Sequence, residues 1–204
     1  MAALAMDLTT APAVEPLTQT EVKNYLRVDS DITEDDALIT ALIVAARRYC
    51  ETFTRRAFIT QTWTMYLDRF PANRWYITLP KSPLQSVTSI KYYDIDGTLQ
   101  TWTSTKYVVD SSDTVPARVS LAESETWPST RAQANSVQIL FIGGYGAAAA
   151  VPNTIKSAMY LLVGHWYENR EAVTLAGTPK EVPMAVESLL WAERALLAAD
   201  SGYD

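Results

Sequence analysis

The sequence predicts an α+β protein. Its N-terminal and C-terminal helices pack together as a core, and a small antiparallel β-sheet or barrel is inserted between them. Three observations point there. Apolar residues recur at helical spacing in the outer parts of the chain, as at Leu38, Ile39, Leu42, Ile43 and Ala46. In the middle they alternate, with Trp63, Met65 and Leu67 set between Thr62, Thr64 and Tyr66. Charge changes at the same borders: residues 1–56 hold 6 basic and 9 acidic groups, residues 57–142 hold 7 and 7, and residues 143–204 hold 4 and 7.

These borders divide the chain as follows. Residues 1–17 contain Pro12 and Pro16 and read as a flexible arm. Residues 18–56 and 147–199 form the helical core, 57–146 the β insertion, and 200–204 a polar tail.

A first short helix is expected to start at Thr18 and end near Arg27. Thr18-Gln19-Thr20-Glu21 fits a capping box, in which the Thr18 hydroxyl and the Glu21 carboxylate satisfy free N–H groups. A second helix is expected over 34–54, capped by Thr33, with Glu34, Asp35 and Asp36 at its positive end. Its apolar face is Leu38, Ile39, Leu42, Ile43, Ala46, Tyr49, Cys50 and Phe53, and Arg47, Arg48, Arg55 and Arg56 are expected in or just past its last turns.

In the β block, strands are expected at Trp63–Leu67, Trp75–Leu79, Val87–Tyr93, Leu99–Trp102, Tyr107–Val109, Arg118–Leu121 and Val137–Ile142. Asp94-Ile95-Asp96-Gly97 reads as the turn of a hairpin, with Gly97 taking positive φ. Gly143–Gly146 and Ala147–Ala150 link back to helix. A third helix runs from Pro152 to about Asn169 on the stripe Ile155, Met159, Leu162, Val163 and Trp166. Pro183 opens a last helix carrying Val186, Leu189, Leu190, Ala192, Leu196 and Leu197.

Composition narrows the function classes. The chain has 204 residues, 48% apolar and 20% charged, which are ordinary globular values and exclude a disordered or collagenous chain. The net charge is −6, against the basic footprint of a general nucleic-acid binder. A single cysteine, Cys50, excludes an intrachain disulfide and a cysteine-rich zinc site. A single histidine, His165, excludes paired-imidazole metal sites. The first 17 residues lack a basic start before an apolar core, so no secretory signal is expected there. The apolar stretches Ala37–Ala46 and Ser157–Tyr167 fall short of the ~20 residues of a membrane span.

Each candidate for chemistry has a plainer reading. His165 would need an orienting carboxylate and a nucleophile; Glu168 and Glu171 are in helical reach, but no serine or cysteine sits in a nucleophile turn. Gly143–Gly146 lacks the Lys-Ser/Thr of a phosphate loop and is followed by alanines, which suits a hinge. Asp94 and Asp96 suit a hairpin turn better than a paired-carboxylate site. Glu34–Asp36 reads as helix capping, since a calcium loop needs several more oxygen ligands. Arg47, Arg48, Arg55 and Arg56 are the only basic cluster, suited to phosphate, to an acidic partner surface or to a helix end. The β-block aromatics are either a sugar platform or the core of a small sheet. No catalytic residue, metal site or cofactor is expected, and the broad apolar helical faces suit assembly.

The ordered set of motifs resembles the head–tail connector (adaptor) proteins of tailed bacteriophages and phage-like gene transfer agents. The residues are Leu17-Thr18-x-x-Glu21-Val22-Lys23-x-Tyr25-Leu26-Arg27-Val28, Asp35-Asp36-Ala37-Leu38-Ile39 and Ala45-Ala46 to Tyr49-x-Glu51. They continue through Leu79-Pro80-x-x-Pro83-Leu84-x-Ser86-Val87, Ile90-Lys91-Tyr92-Tyr93-Asp94-x-Asp96-Gly97 and Gly143-Gly144-Tyr145. The C-terminal part adds Val151-Pro152-x-x-Ile155-Lys156, His165-Trp166-Tyr167-Glu168-Asn169-Arg170-Glu171 and Val182-Pro183 before Val186-x-x-Leu189-Leu190. The likeness spans about Leu17 to Leu197.

The resemblance implies a structural virion protein, not an enzyme. Such proteins form a ring, typically of twelve subunits, through head-to-tail contacts that close by rotation. The ring lies beneath the portal at the head–tail junction, receives the stopper or tail-completion protein, and leaves a channel for DNA without binding it specifically. It would be made in the host bacterial cytoplasm. The last helix and tail would reach the portal, with Trp191, Arg194, Leu197 and Tyr203 as candidate contacts, and Arg47, Arg48, Arg55 and Arg56 as candidate subunit contacts. Two alternatives stay open: another neck or tail-completion virion protein, or a ligand-binding module using the β block.

Overall fold

The computed structural model describes residues 4–112, 116–169 and 184–195 of the 204. The chain divides into two compact units, one helical and one β. The α+β expectation is met, with residues 60–145 of the β unit between the second and third helices in sequence and one further strand of it before the first helix.

The helical unit comprises Ala13–Ile59 and Gly146–Arg194. Its helices are α1 (Gln19–Leu26), α2 (Asp36–Thr54), α3 (Asn153–Glu168) and α4 (Met184–Trp191). Helix α3 packs against both α2 and α4. Their inward faces bury Val22, Ile39, Ile43, Ala46, Ile155, Met159, Leu162, Val163, Val186 and Leu190. Each large aliphatic side chain among them contributes roughly 1.5–3 kcal/mol by leaving water.

The cap of α1 is the one its sequence predicts. The Thr18 hydroxyl accepts the Glu21 N–H at 3.2 Å, and the Glu21 carboxylate accepts the Thr18 N–H at 2.7 Å. That backbone bond, with the Thr18 hydroxyl, holds the Glu21 carboxyl below its ordinary pKa. Helix α2 starts two residues later than its sequence predicts, and Thr33 is not its cap. The Thr33 carbonyl accepts the Asp36 N–H at 3.1 Å, making a turn ahead of the helix. Asp35 takes the cap position but makes no side-chain cap bond. Its carboxylate accepts the Tyr167 hydroxyl of α3 at 2.5 Å instead. Helix α4 ends at Trp191, where the Glu193 and Arg194 N–H groups turn back to Leu190 and Trp191. Pro183, Leu196 and Leu197, expected in this helix, lie outside the described residues.

Among the described residues the β unit holds eight strands in two antiparallel sheets. They are β1 (Leu4–Thr10), β2 (Gln61–Leu67), β3 (Tyr76–Thr78), β4 (Leu84–Tyr93), β5 (Leu99–Trp102), β6 (Tyr107–Asp110), β7 (Arg118–Leu121) and β8 (Val137–Gly143). One sheet runs β1-β2-β8-β4-β5 and the other β3-β7-β6. Both are open, so the sheet alternative holds and the barrel does not. Strand β8 sits centrally, turning Val137, Ile139 and Phe141 inward on the period of two. Side chains from both sheets share one core, with Met65, Ile77, Ile90, Trp102 and Val119 among them.

The expected flexible arm is a correction: residues 4–10 form β1. Leu4, Met6 and Leu8 alternate with Ala5, Asp7 and Thr9, and Met6 pairs with Met65 and Leu8 with Trp63 across β2. The hairpin between β4 and β5 forms as expected, with Gly97 at φ 85°. A Cβ there would run into the Arg131 guanidinium. At the end of β8 glycine has a different cause: a Cβ on Gly143 would lie 2.6 Å from the Lys81 carbonyl oxygen.

Candidate functional site

The four arginines read as one basic cluster are dispersed by the fold. Arg47 lies on the inner face of α2 and is 6% exposed. Its Nε donates to Glu15 at 2.7 Å and its Nη1 to Glu51 at 2.8 Å. Glu51 in turn accepts the Phe58 N–H at 2.9 Å. Burial works to lower the Arg47 pKa, but the hydrogen bonds and charges of Glu15 and Glu51 outweigh it and raise it. Arg47, expected as a subunit contact, is thus held by two carboxylates of its own chain. Arg48 is exposed. Arg55 ends α2 in the left-handed region at φ 59°. Arg56 donates from Nε to the Glu193 carbonyl at 2.6 Å, tying the end of α2 to the end of α4.

That junction carries an aromatic series. Trp166 of α3 meets Tyr49 edge-on at 6.3 Å, Tyr49 stacks with Phe53 at 6.5 Å, and Phe53 meets Trp191 edge-on at 5.9 Å. Trp191 is 58% exposed. The Arg194 guanidinium lies 4.6 Å over its ring. Two of the expected portal contacts, Trp191 and Arg194, are thus brought together as one cation–π pair at the surface. The other two, Leu197 and Tyr203, lie outside the described residues.

The chemical candidates resolve into structural roles. His165 lines a cleft of about 510 Å³ with Tyr25, Arg27, Tyr167 and Glu168, and no serine, threonine or cysteine lines it. The His165 carbonyl accepts the Asn169 amide at 2.7 Å, which closes the last turn of α3. The Asp94 carboxylate accepts the N–H groups of Asp96 and Thr98 and the Gln100 amide at 2.8–3.1 Å. The Gln100 bond first, then that of Thr98, hold its pKa below the ordinary value. It is a turn cap. The Gly144 N–H donates to the Pro83 carbonyl at 2.8 Å, so this donor of the glycine segment does not face a phosphate. Cys50 is buried, and burial followed by the Glu51 charge pushes its pKa up to about 12, which leaves the thiol protonated and inert. Among the described residues no group of three or more His, Cys, Asp or Glu could hold a metal ion, and no helix is long and apolar enough to cross a membrane.

Sequence reasoning missed Glu15 as the partner of Arg47, because the arm reading removed it from the fold. The signal was present in the helical wheel. Arg47 follows Ile43 by four residues and precedes Glu51 by four, which sets both charges on the buried stripe.

Comparison with known proteins gives one family and one fold. The family model described as head completion protein matches residues 15–181. A chain from the neck of an empty gene transfer agent (GTA) particle, computed with C6 symmetry, superposes with a TM-score of 0.78 at 23% identity, covering 95% of this chain and 97% of that one. A chain from the virion of a native GTA particle gives 0.77 at 23% identity, over 95% and 96%. A chain from the neck of a native GTA particle computed with C12 symmetry gives 0.69 at 21% identity, over 95% and 97%. No curated protein matches.

Proposed function

Because the chain belongs to the head completion protein family, we propose that it is a structural neck protein that joins the DNA-filled head to the tail. The observation that carries this is the family match over 15–181, which takes in both units. The fold shared with chains from GTA necks, described under six-fold and twelve-fold symmetry, supports it. The chain sits at the head–tail junction as a homo-oligomeric ring of twelve copies, beneath the portal and above the stopper or tail-completion protein.

DNA passes through the ring. A net charge of −6 per subunit repels phosphate where acids face the channel, whereas a binder would neutralise phosphates and show steep salt dependence. The portal contact is the exposed Trp191 with Arg194 on its ring, continued by Leu197 and Tyr203. Trp and Arg are the residues that most often anchor interfaces. Arg48, Arg55 and Arg56 face neighbouring subunits.

Removal of the protein from the producing cell tests the reading. The expected particles are DNA-filled heads without tails, which the added wild-type protein makes competent for tail joining. Tailed, infectious or gene-transferring particles formed in its absence would contradict it.

A further inference from the structure

The β unit carries a groove of about 790 Å³ whose chemistry is one-sided. Its floor is Phe70 stacked on Trp127 at 5.1 Å, and Trp75 stands at its rim, 58% exposed. The Trp127 indole donates to the Arg74 carbonyl at 2.8 Å, which fixes the wall. The exposed Arg69 and Arg74 guanidinium groups line the groove without a partner among the described residues. No carboxylate lines it. An acidic chain has thus left two unpaired cations around an aromatic floor.

The helical unit presents the complement. Between α1 and α2, Asp29, Asp31 and Glu34 are exposed and have no side-chain partner among the described residues. Ile32, in the middle of them, is 42% exposed. The loop is held from behind: the buried Lys23 ammonium donates to the Ile32 carbonyl at 2.6 Å and pairs with Asp36. The backbone is anchored while its three carboxylates and one apolar side chain point outward.

We propose that the groove receives the 29–34 loop of a neighbouring copy of this chain, an inference that rests on the ring reading. Asp29, Asp31 and Glu34 meet Arg69 and Arg74, and Ile32 sits against Trp75. The occupant is a second copy because groove and loop are different surfaces carried once each. A contact of that kind is head-to-tail, and closure of the ring leaves neither surface open. Opposite charges around an apolar centre also set the register and hasten encounter.

Charge reversal with rescue tests it, read by sedimentation of the full chain, alone and with its portal. Arg69→Glu with Arg74→Glu, and separately Asp29→Arg with Asp31→Arg and Glu34→Arg, should each weaken ring formation by more than about tenfold. The two sets combined in one chain should restore it. All five positions are exposed, and unchanged circular dichroism shows that each variant is folded. Rings that survive either single-sided reversal overturn the contact and leave the ring reading standing. Reversals that break the ring without mutual rescue also overturn it, because the two surfaces then meet other partners. A wild-type chain that forms no ring, alone or on the portal, overturns the ring reading and the contact together.

Discussion

The helical unit and the β unit bury their cores by different means. The helical unit packs aliphatic side chains of α1 to α4 and, among the described residues, admits two buried cations: Arg47, held between Glu15 and Glu51, and Lys23, paired with Asp36. The β unit packs rings. Phe70 contacts Tyr92, Trp102 and Trp127 at centroid distances of 5.1–5.8 Å, beside the aliphatic residues of β8. The helical unit owes its order to local spacing plus one ionic clamp on the segment that enters α1. The β unit owes its order to pairing between strands far apart in sequence. A local error should therefore be tolerated in the first and spread through the sheet in the second.

The largest test of that contrast is Phe141→Ala. Phe141 is fully buried in the central strand β8, paired with Trp63 on one side and Val87 on the other. Denaturant unfolding should show a loss of about 3–5 kcal/mol. A loss below about 1 kcal/mol would mean that the sheet core is loosely packed. Next comes Arg47→Ala, which leaves Glu15 and Glu51 facing each other without their cation. The expected loss is about 3 kcal/mol, followed by the helical signal in circular dichroism. The companion Arg47→Met, Glu15→Gln, Glu51→Gln should recover most of it. Failure to recover would show that the ion network contributes more than apolar packing could.

Smaller effects sharpen the helical side. Thr18→Ala removes the hydroxyl half of the α1 capping box and should cost about 1 kcal/mol. The smallest effect is the pH dependence of the same cap. The folded-state pKa of Glu21 is depressed, so its contribution is complete above the ordinary glutamate range and is lost as pH falls through the folded value. Glu21→Gln, which removes the titrating carboxyl, should therefore flatten an acid-side stability profile that the wild-type chain shows. Equal slopes for both proteins would remove Glu21 from the account.

The same contrast explains what the sequence reveals. The faces of α2 and α3 are legible because each residue's neighbours lie three or four positions away. The β4–β5 hairpin is legible because Asp94 and Gly97 meet the demands of one turn. Strand β1 is not, because its partner β2 lies more than fifty residues on and Pro12 suggests a loose end. The split of the middle block into two sheets is hidden for the same reason: no local signal says that β7 joins β3 and β6 rather than β8. Tryptophans show the limit most directly. Trp102 is 5% exposed and Trp75 58% exposed, yet both sit in similar alternating runs. Residue type alone picks out Trp191 and Arg194 as portal candidates, and only the fold shows them side by side at the surface; the charge of Arg47 does not reveal its burial, which its position on the helical wheel does.

The central claim is that this chain closes into a ring on the portal. Electron microscopy of the purified full-length protein mixed with the portal of the same particle tests it most directly. The account predicts a ring with an open central channel, stacked coaxially on the portal. A protein that stays monomeric and free of the portal in that mixture would contradict it.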